Sequence, residues 1–299
     1  MVYFLWYLQE SNQGHKDFQS FALPTELRYQ PLVGAKLSIF YFLVQITFNF
    51  LLIKCHSYLC AVNMLEVYVM DYGNTALKIA VFQNATMKTV YRSNKEDCLK
   101  LDWSNKLIVL SNVASKEFSL ALQEKGAKII EITTYFSASF TSAYNSMNTL
   151  GVDRFCNVEA IAISGRKGNL LCIDIGTCVK FDLLDKRKVY VGGSISPGLE
   201  LRFKSLNDYT ARLPLLEKKS FRSLNGKSTD ESILSGVILG LEAEIFKRIE
   251  WYEAQYDDLT IFVTGGDASY FDFHQKSNIF ADENLTLKGI YSIFCNHAQ

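Results

Sequence analysis

The 299-residue chain reads as an α/β protein built on a duplicated unit. Three features point there. Short apolar runs alternate with helical stretches from residue 64 onward. A pattern of apolar run, Asp-x-Gly, hydroxyl residue and second alternating run occurs twice, about one hundred residues apart. A further apolar run enters a Thr-Gly-Gly turn in the last third.

Residues 65–70 are nearly all apolar, as suits a strand covered on both faces. Asp71-Tyr72-Gly73-Asn74-Thr75 supplies turn residues, and 77–82 reads as a second strand with Ile79 and Val81 on one side. Alone, this is an ordinary hairpin around Gly-Asn. Residues 106–110 form a strand ending at Ser111-Asn112, 118–125 a short helix closed by Gly126, and 129–132 another strand. The second copy follows: a strand at 170–173, then Asp174-Ile175-Gly176-Thr177, alternation through 179–182, and Val189-Tyr190-Val191 before Gly192-Gly193. Ile233, Val237, Leu241, Ile245 and Ile249 recur every four residues and predict a helix over 229–254, with capping chemistry in Thr229-Asp230-Glu231. Gly236 and Gly240 would let another helix approach closely, across a dimer, or would pack beneath their own sheet. The strand at 260–263 runs into Thr264-Gly265-Gly266-Asp267-Ala268, a turn where backbone can lie against a nucleotide.

The repeated turn has chemical content. An Asp at the end of a buried strand can hold a hydrated cation, and the following Gly lets backbone approach a phosphate. Asn or Thr amides and hydroxyls then donate to its oxygens. Two such turns facing each other make a cleft for a nucleotide's phosphates.

Composition excludes several alternatives. Lys plus Arg equals Asp plus Glu at 31 each, so nothing suggests a grip on nucleic acid. Seven Cys with no Cys-x-x-Cys pair argue against a disulfide framework or zinc module and favour a reducing cytoplasm. The four His, at 15, 56, 274 and 297, have no metal-ligand spacing. Neither a Gly-x-x-x-x-Gly-Lys-Ser/Thr loop nor a Gly-x-Gly-x-x-Gly helix start is present, and no Gly-x-Ser-x-Gly elbow.

Residues 1–63 differ from the rest. An uncharged stretch at 37–53 falls just under the ~18 to 20 residues of a membrane-spanning helix. It reads as an anchor, an extra packed helix, or sequence upstream of the natural start; the last is favoured because Met64 directly precedes a clean strand. Membrane contact is expected only if 37–53 is an anchor.

Taken together, DYGNTALK (71–78), GVDR (151–154) with Asn157 and Ala160, DIGT (174–177), GGSISPG (192–198), TARLP (210–214) and TGGDA (264–268) resemble, in order, the motifs of the type III pantothenate kinases. That family belongs to the acetate kinase, sugar kinase, Hsp70 and actin superfamily. The resemblance covers residues 64–299 and implies an actin-like ATPase fold of two ribonuclease H-like domains, 64–168 and 169–299, behind an N-terminal extension at 1–63. It further implies a homodimeric enzyme that uses ATP to phosphorylate pantothenate. Asp71, Tyr72, Gly73, Asn74, Thr75, Ala76, Leu77 and Lys78 would bind the ATP phosphates, with Asp71 near Mg²⁺, and Thr177 would join them. Tyr144, Gly151, Val152, Asp153, Arg154 and, across the dimer, Thr210 would hold pantothenate. Asp153 would be the general base, with Arg154 beside it as the compensating cation, and Asp174 would ligate a monovalent cation, K⁺ or NH₄⁺. A non-catalytic nucleotide-binding regulator and a kinase for another small alcohol are the alternatives. Departures from the family pattern are Asn145-Ser146-Met147 after the tyrosine, and Cys178 and Lys180 after the second turn, where Lys180 would add a cation near the phosphates.

Overall fold

The computed structural model describes residues 66–274 and 276–297; the extension at 1–63, with its apolar stretch at 37–53, lies outside the described residues. Among the described residues no helix is long and apolar enough to cross a membrane.

The first half builds a five-stranded sheet from β1 (Val67–Tyr72), β2 (Leu77–Gln83), β3 (Thr86–Ser93), β4 (Leu107–Asn112) and β5 (Lys128–Glu131), with α1 (Lys95–Cys98) and α2 (Lys116–Glu124) between them. The spatial order is β3-β2-β1-β4-β5. β1 to β3 pair antiparallel, whereas β4 and β5 join parallel. After β6 (Thr141–Ser142) and α3 (Val152–Ala162), the second half repeats the plan. It comprises β7 (Asn169–Ile175), β8 (Cys178–Leu184), β9 (Val189–Pro197), α4 (Leu199–Asp208), α5 (Thr229–Leu234), a π-helical turn (Ser235–Leu239), α6 (Gly240–Gln255), β10 (Leu259–Thr264), β11 (Ile279–Ala281) and α7 (Leu285–His297). Its order is β11-β10-β7-β8-β9-β6. Read outward from the first strand of each half, the two sheets share one topology, which is the duplicated, actin-like arrangement of ribonuclease H-like folds. Three elements cross the halves: β6 pairs with β9 of the second sheet, α3 packs on β7 and β8 of the second sheet and on β4 of the first, and α7 packs on β1 and β4 of the first.

Strand alternation sorts side chains into three cores. On β1, Val67 and Val69 point to a shared central layer, whereas Met70 points outward beneath α2. On β7, Leu170 and Cys172 face the same central layer, and Leu171 and Ile173 face α4 to α6. That layer holds α3 and α7, whose Phe155, Val158, Ile161, Leu287, Ile290 and Phe294 are all buried. Burying each such side chain contributes roughly 1.5–3 kcal/mol. Gly289 permits the close approach of the two helices, because a Cβ there would collide with the Cys156 carbonyl. The buried Glu159 carboxylate locks them further, accepting from Ser139 N (2.6 Å), Ser139 Oγ (2.8 Å), Ser292 Oγ (2.6 Å) and Asn296 Nδ2 (3.0 Å). A buried carboxylate is tolerated only with such a full set of donors.

The predicted helix over 229–254 is present but interrupted by the π-helical turn that contains Gly236. Gly236 and Gly240 are exposed, and a Cβ on either would meet open space, so the pair does not pack beneath its own sheet. The strand predicted to end at Ser111-Asn112 does so, spanning Leu107–Asn112.

Candidate active site

The alternation that sends Val67 and Val69 inward also sends Asp71 inward, at the end of β1. Lys78 on β2 is its direct cross-strand neighbour. The second hairpin does the same with Asp174 on β7 and Lys180 on β8. Residues directly opposed on antiparallel strands share a face, so all four project toward the layer that holds α3. Gly151 caps the start of that helix, and Asp153 in its first turn accepts from the Arg154 backbone N–H (2.8 Å). The result is a cleft of about 430 Å³ between the two hairpins, roofed at its mouth by a 2.7 Å hydrogen bond between the Thr75 and Thr177 hydroxyls.

Three carboxylates share the floor of this cleft, and one ammonium serves two of them. Lys180 Nζ donates to Asp153 Oδ2 (2.5 Å) and to Asp174 Oδ2 (2.8 Å). Burial pushes the Lys180 ammonium toward neutrality, but Asp174 and Asp153 together outweigh it and raise its pKa. Asn157 Nδ2 also reaches Asp174 Oδ2 at 3.4 Å, and its own Oδ1 accepts from Thr286 (2.8 Å). Asp71 is different. Among the described residues no group donates a hydrogen bond to its carboxylate. Burial, reinforced by the charges of Asp153 and Asp174, pushes its carboxyl up to about 7. Lys78, opposite it, turns instead to the Glu283 carbonyl (2.5 Å); burial and the nearby Arg92 lower its pKa.

Arg154 does not accompany Asp153. Consecutive helical residues point about 100° apart, and the Arg154 guanidinium turns into the core. There Nε and Nη2 donate to Asp182 Oδ1 (3.0 and 2.6 Å), and Nη2 donates to the Tyr190 hydroxyl (2.9 Å). The Tyr190 hydroxyl in turn donates to Asp182 Oδ1 (2.7 Å). Both ends of this ion pair are almost fully buried, at 6% and 1% side-chain exposure. The Tyr144 ring lies 5.8 Å from the guanidinium carbon, close enough for a cation–π contact. The expectation that Arg154 compensates Asp153 is therefore corrected: Lys180 does so.

The third wall is the Thr-Gly-Gly turn. Gly265 has φ +100°, and a Cβ there would strike the Ile175 backbone, so only glycine lets this turn lie against the second acidic turn. Asp267 N–H donates to the Ile175 carbonyl (2.9 Å), and its carboxylate pairs with Lys218 (2.8 Å).

Of the residues singled out in the sequence, the cleft brings together Asp71, Gly73, Asn74, Thr75, Ala76, Lys78, Tyr144, Gly151, Asp153, Arg154, Asp174 and Thr177. Four lie elsewhere. Leu77 is buried in the outer core of the first sheet, and Tyr72 packs its ring at a tilt of 45° against Phe118 with centroids 4.4 Å apart. Val152 packs on the central core. Thr210 is exposed at the end of α4, its hydroxyl donating to the Leu206 carbonyl (2.6 Å). Sequence reasoning missed Lys218 and Thr286 in the wall, neither of which belongs to a motif, and the partner of Asp267.

A divalent cation fits this donor set. The unpartnered, destabilised carboxylate of Asp71 lacks a positive charge that a metal would supply. A monovalent cation fits poorly on Asp174, because one carboxylate oxygen already accepts from an ammonium and an amide, and the charge of that ammonium opposes a second cation at the other oxygen.

Known proteins resemble this chain in sequence and fold. A family model described as type III pantothenate kinase matches residues 67–250. A type III pantothenate kinase from Christiangramia forsetii is 39% identical over 230 residues, covering 74% of this chain and 95% of the relative. One from Flavobacterium psychrophilum is 35% identical over 236 residues, covering 76% and 98%. Among solved structures, a conserved protein from Campylobacter jejuni described as a Baf family transcriptional activator superposes with a TM-score of 0.51 at 20% identity, covering 76% of this chain and 96% of its own; it shares the fold.

Proposed function

The chain belongs to the type III pantothenate kinase family, and from that premise we propose how the cleft divides the work of the family's reaction. The enzyme transfers a phosphoryl group from ATP to pantothenate, the first step of coenzyme A biosynthesis. The observation that carries the assignment of roles is the convergence of two acidic hairpin turns and the first turn of α3 on one cavity.

In this reading the backbone and hydroxyls from Gly73 to Ala76, together with Thr177, receive the triphosphate, and Lys78 offsets its charge. Asp71 would hold Mg²⁺, which when bound neutralises phosphate oxygens. Pantothenate lies toward Tyr144, Gly151 and Arg154, its primary hydroxyl at Asp153. Asp153 orients that hydroxyl and accepts its proton as the oxygen attacks the γ-phosphorus and the bond to the ADP oxygen breaks. Phosphoryl transfer asks mainly for such positioning and charge compensation, which suits a site of fixed hydrogen bonds around Asp153. The resemblance adds K⁺ or NH₄⁺ at Asp174, where Lys180 and Asn157 already donate to Oδ2.

Residues 64–168 and 169–299 act as the two jaws, with β6 and α7 tying each to the other. Thr210 serves a partner's pantothenate site in a homodimer, a role favoured by its exposed position outside its own cleft. A cytoplasmic setting is favoured by free cysteines at 98, 156 and 172, all buried. A coupled assay of ADP release with pantothenate against a panel of small alcohols tests the whole reading: phosphorylation confined to pantothenate is expected, and ATP turnover only with another alcohol would refute it.

A further inference from the structure

The Lys180 ammonium bridges the acceptor-side carboxylate and the phosphate-side turn with a single positive charge, at 2.5 Å from Asp153 Oδ2 and 2.8 Å from Asp174 Oδ2. The contact is enforced from below. Lys180 is the direct cross-strand partner of Asp174, on a strand whose neighbours Val179 and Phe181 are fully buried, and its side chain is only 17% exposed. The remaining capacity of Asp174 Oδ2 is taken up by Asn157, which Thr286 holds in place. A free monovalent cation at Asp174 would have to sit beside the ammonium. At ~4 Å and an intermediate dielectric, two like charges repel by on the order of a thousandfold in an equilibrium constant.

We propose that Lys180 is a built-in monovalent cation: its tethered ammonium supplies the charge between Asp153 and Asp174, so that turnover needs neither K⁺ nor NH₄⁺. This rests on the kinase reading above. Lys180 acts by positioning Asp153 and balancing the floor of the cleft, and it forms no bond to the transferred group.

The test begins with the unaltered full-length protein. Initial rates of pantothenate phosphorylation in K⁺, NH₄⁺, Na⁺ and Tris salts of equal ionic strength are expected to agree within about twofold, since the charge is already in place. A tenfold or greater loss on replacing K⁺ by Na⁺ would overturn the proposal. Lys180→Thr removes the ammonium; its rate in Na⁺ is expected to fall about 10²-fold, the usual size of losing one positioned charge donor. Because the vacated space lies between two carboxylates, NH₄⁺ or K⁺ should restore at least tenfold of that loss in the variant while leaving the parent unchanged. A variant that keeps its full rate in Na⁺, or loses it with no recovery in NH₄⁺, would count against Lys180.

A second readout needs no catalysis. Thermal melting of the variant without substrate should rise selectively with K⁺ or NH₄⁺ over Na⁺, and that of the parent should not; the reverse pattern overturns the idea. If pantothenate were phosphorylated in no salt, the functional reading would fail, and the melting experiment would still decide on Lys180. Should Lys180→Thr fail to fold, the parent's rates and melting across the four salts decide alone.

Discussion

The two hairpins of this molecule begin alike and end differently. Each places an Asp at the end of its first strand and a Lys directly across from it, Asp71 with Lys78 and Asp174 with Lys180. In the second hairpin the lysine turns back to its aspartate and to Asp153. In the first it turns away to the Glu283 carbonyl and leaves Asp71 with a carboxyl pushed up to about 7. Two residues further along, the second hairpin buries Asp182, whereas the first has Ala80 at the matching place opposite Val69. The difference teaches that a duplicated backbone need not carry duplicated electrostatics. One turn is neutralised by its own chain; the other is left short of positive charge for a ligand to supply.

The largest expected effect lies where the hairpins converge. Asp153→Asn keeps the shape of the first turn of α3 but removes the acceptor for the hydroxyl proton, so turnover should fall about 10³-fold while ATP still binds. Near-normal kcat with nucleotide affinity intact would show that the convergence has no catalytic meaning.

Next comes the buried pair that only the second hairpin possesses. Arg154→Leu strands the Asp182 carboxylate in the core, and removing one partner of a buried ion pair costs about 3–5 kcal/mol. Urea denaturation should register that loss. The double variant Arg154→Leu/Asp182→Leu should recover much of it, because no lone charge then remains. A single variant as stable as the parent would mean that the second hairpin is no more dependent on its charges than the first.

Much of this comparison was legible in the sequence, because both Asp-x-Gly turns and the Thr-Gly-Gly turn are local patterns whose residues act near where they stand in the chain. The paired strands and the long helix followed from periodicity alone. What escaped depends on distance or on weak patterning. Arg154 sits beside Asp153 in sequence, but helical geometry parts them and topology delivers Asp182 from 28 positions away. β3 is a largely exposed edge strand whose polar residues give little alternation, and α7 carries Gly289 mid-helix, which weakens its signal although close packing requires it. Sequence alone places Lys180 only as charge near the phosphates; its bond to Asp174 appears once the register of β7 and β8 is known.

A more modest contrast separates the two turn aspartates. Asp71→Asn should reduce kcat/KM for Mg·ATP by about 10²-fold and weaken the dependence on Mg²⁺, since Asp71 is the carboxylate without a protein cation. Asp174→Asn should do less, because Lys180 keeps its bond to Asp153. Rates measured across a Mg²⁺ titration distinguish them, and equal losses with unchanged Mg²⁺ dependence in both would erase the distinction between the hairpins.

The last contrast is one of pH, and its direction follows from the raised carboxyl of Asp71. In the unfolded chain that group titrates near its ordinary 3.8; in the folded protein without ligand, burial first and the charges of Asp153 and Asp174 second hold it near 7. Between those values the folded state keeps a proton that the unfolded state has released, so this group's contribution to stability declines as pH rises from about 4 to about 7. Lys180 cannot produce the same slope, since its pKa is raised above its ordinary alkaline value and it stays charged throughout that window. Denaturation midpoints of the ligand-free protein, measured from pH 4 to 8, should therefore fall more steeply for the parent than for Asp71→Asn. Parallel curves would mean that Asp71 is as well compensated as Asp174, and the asymmetry between the two turns would be lost.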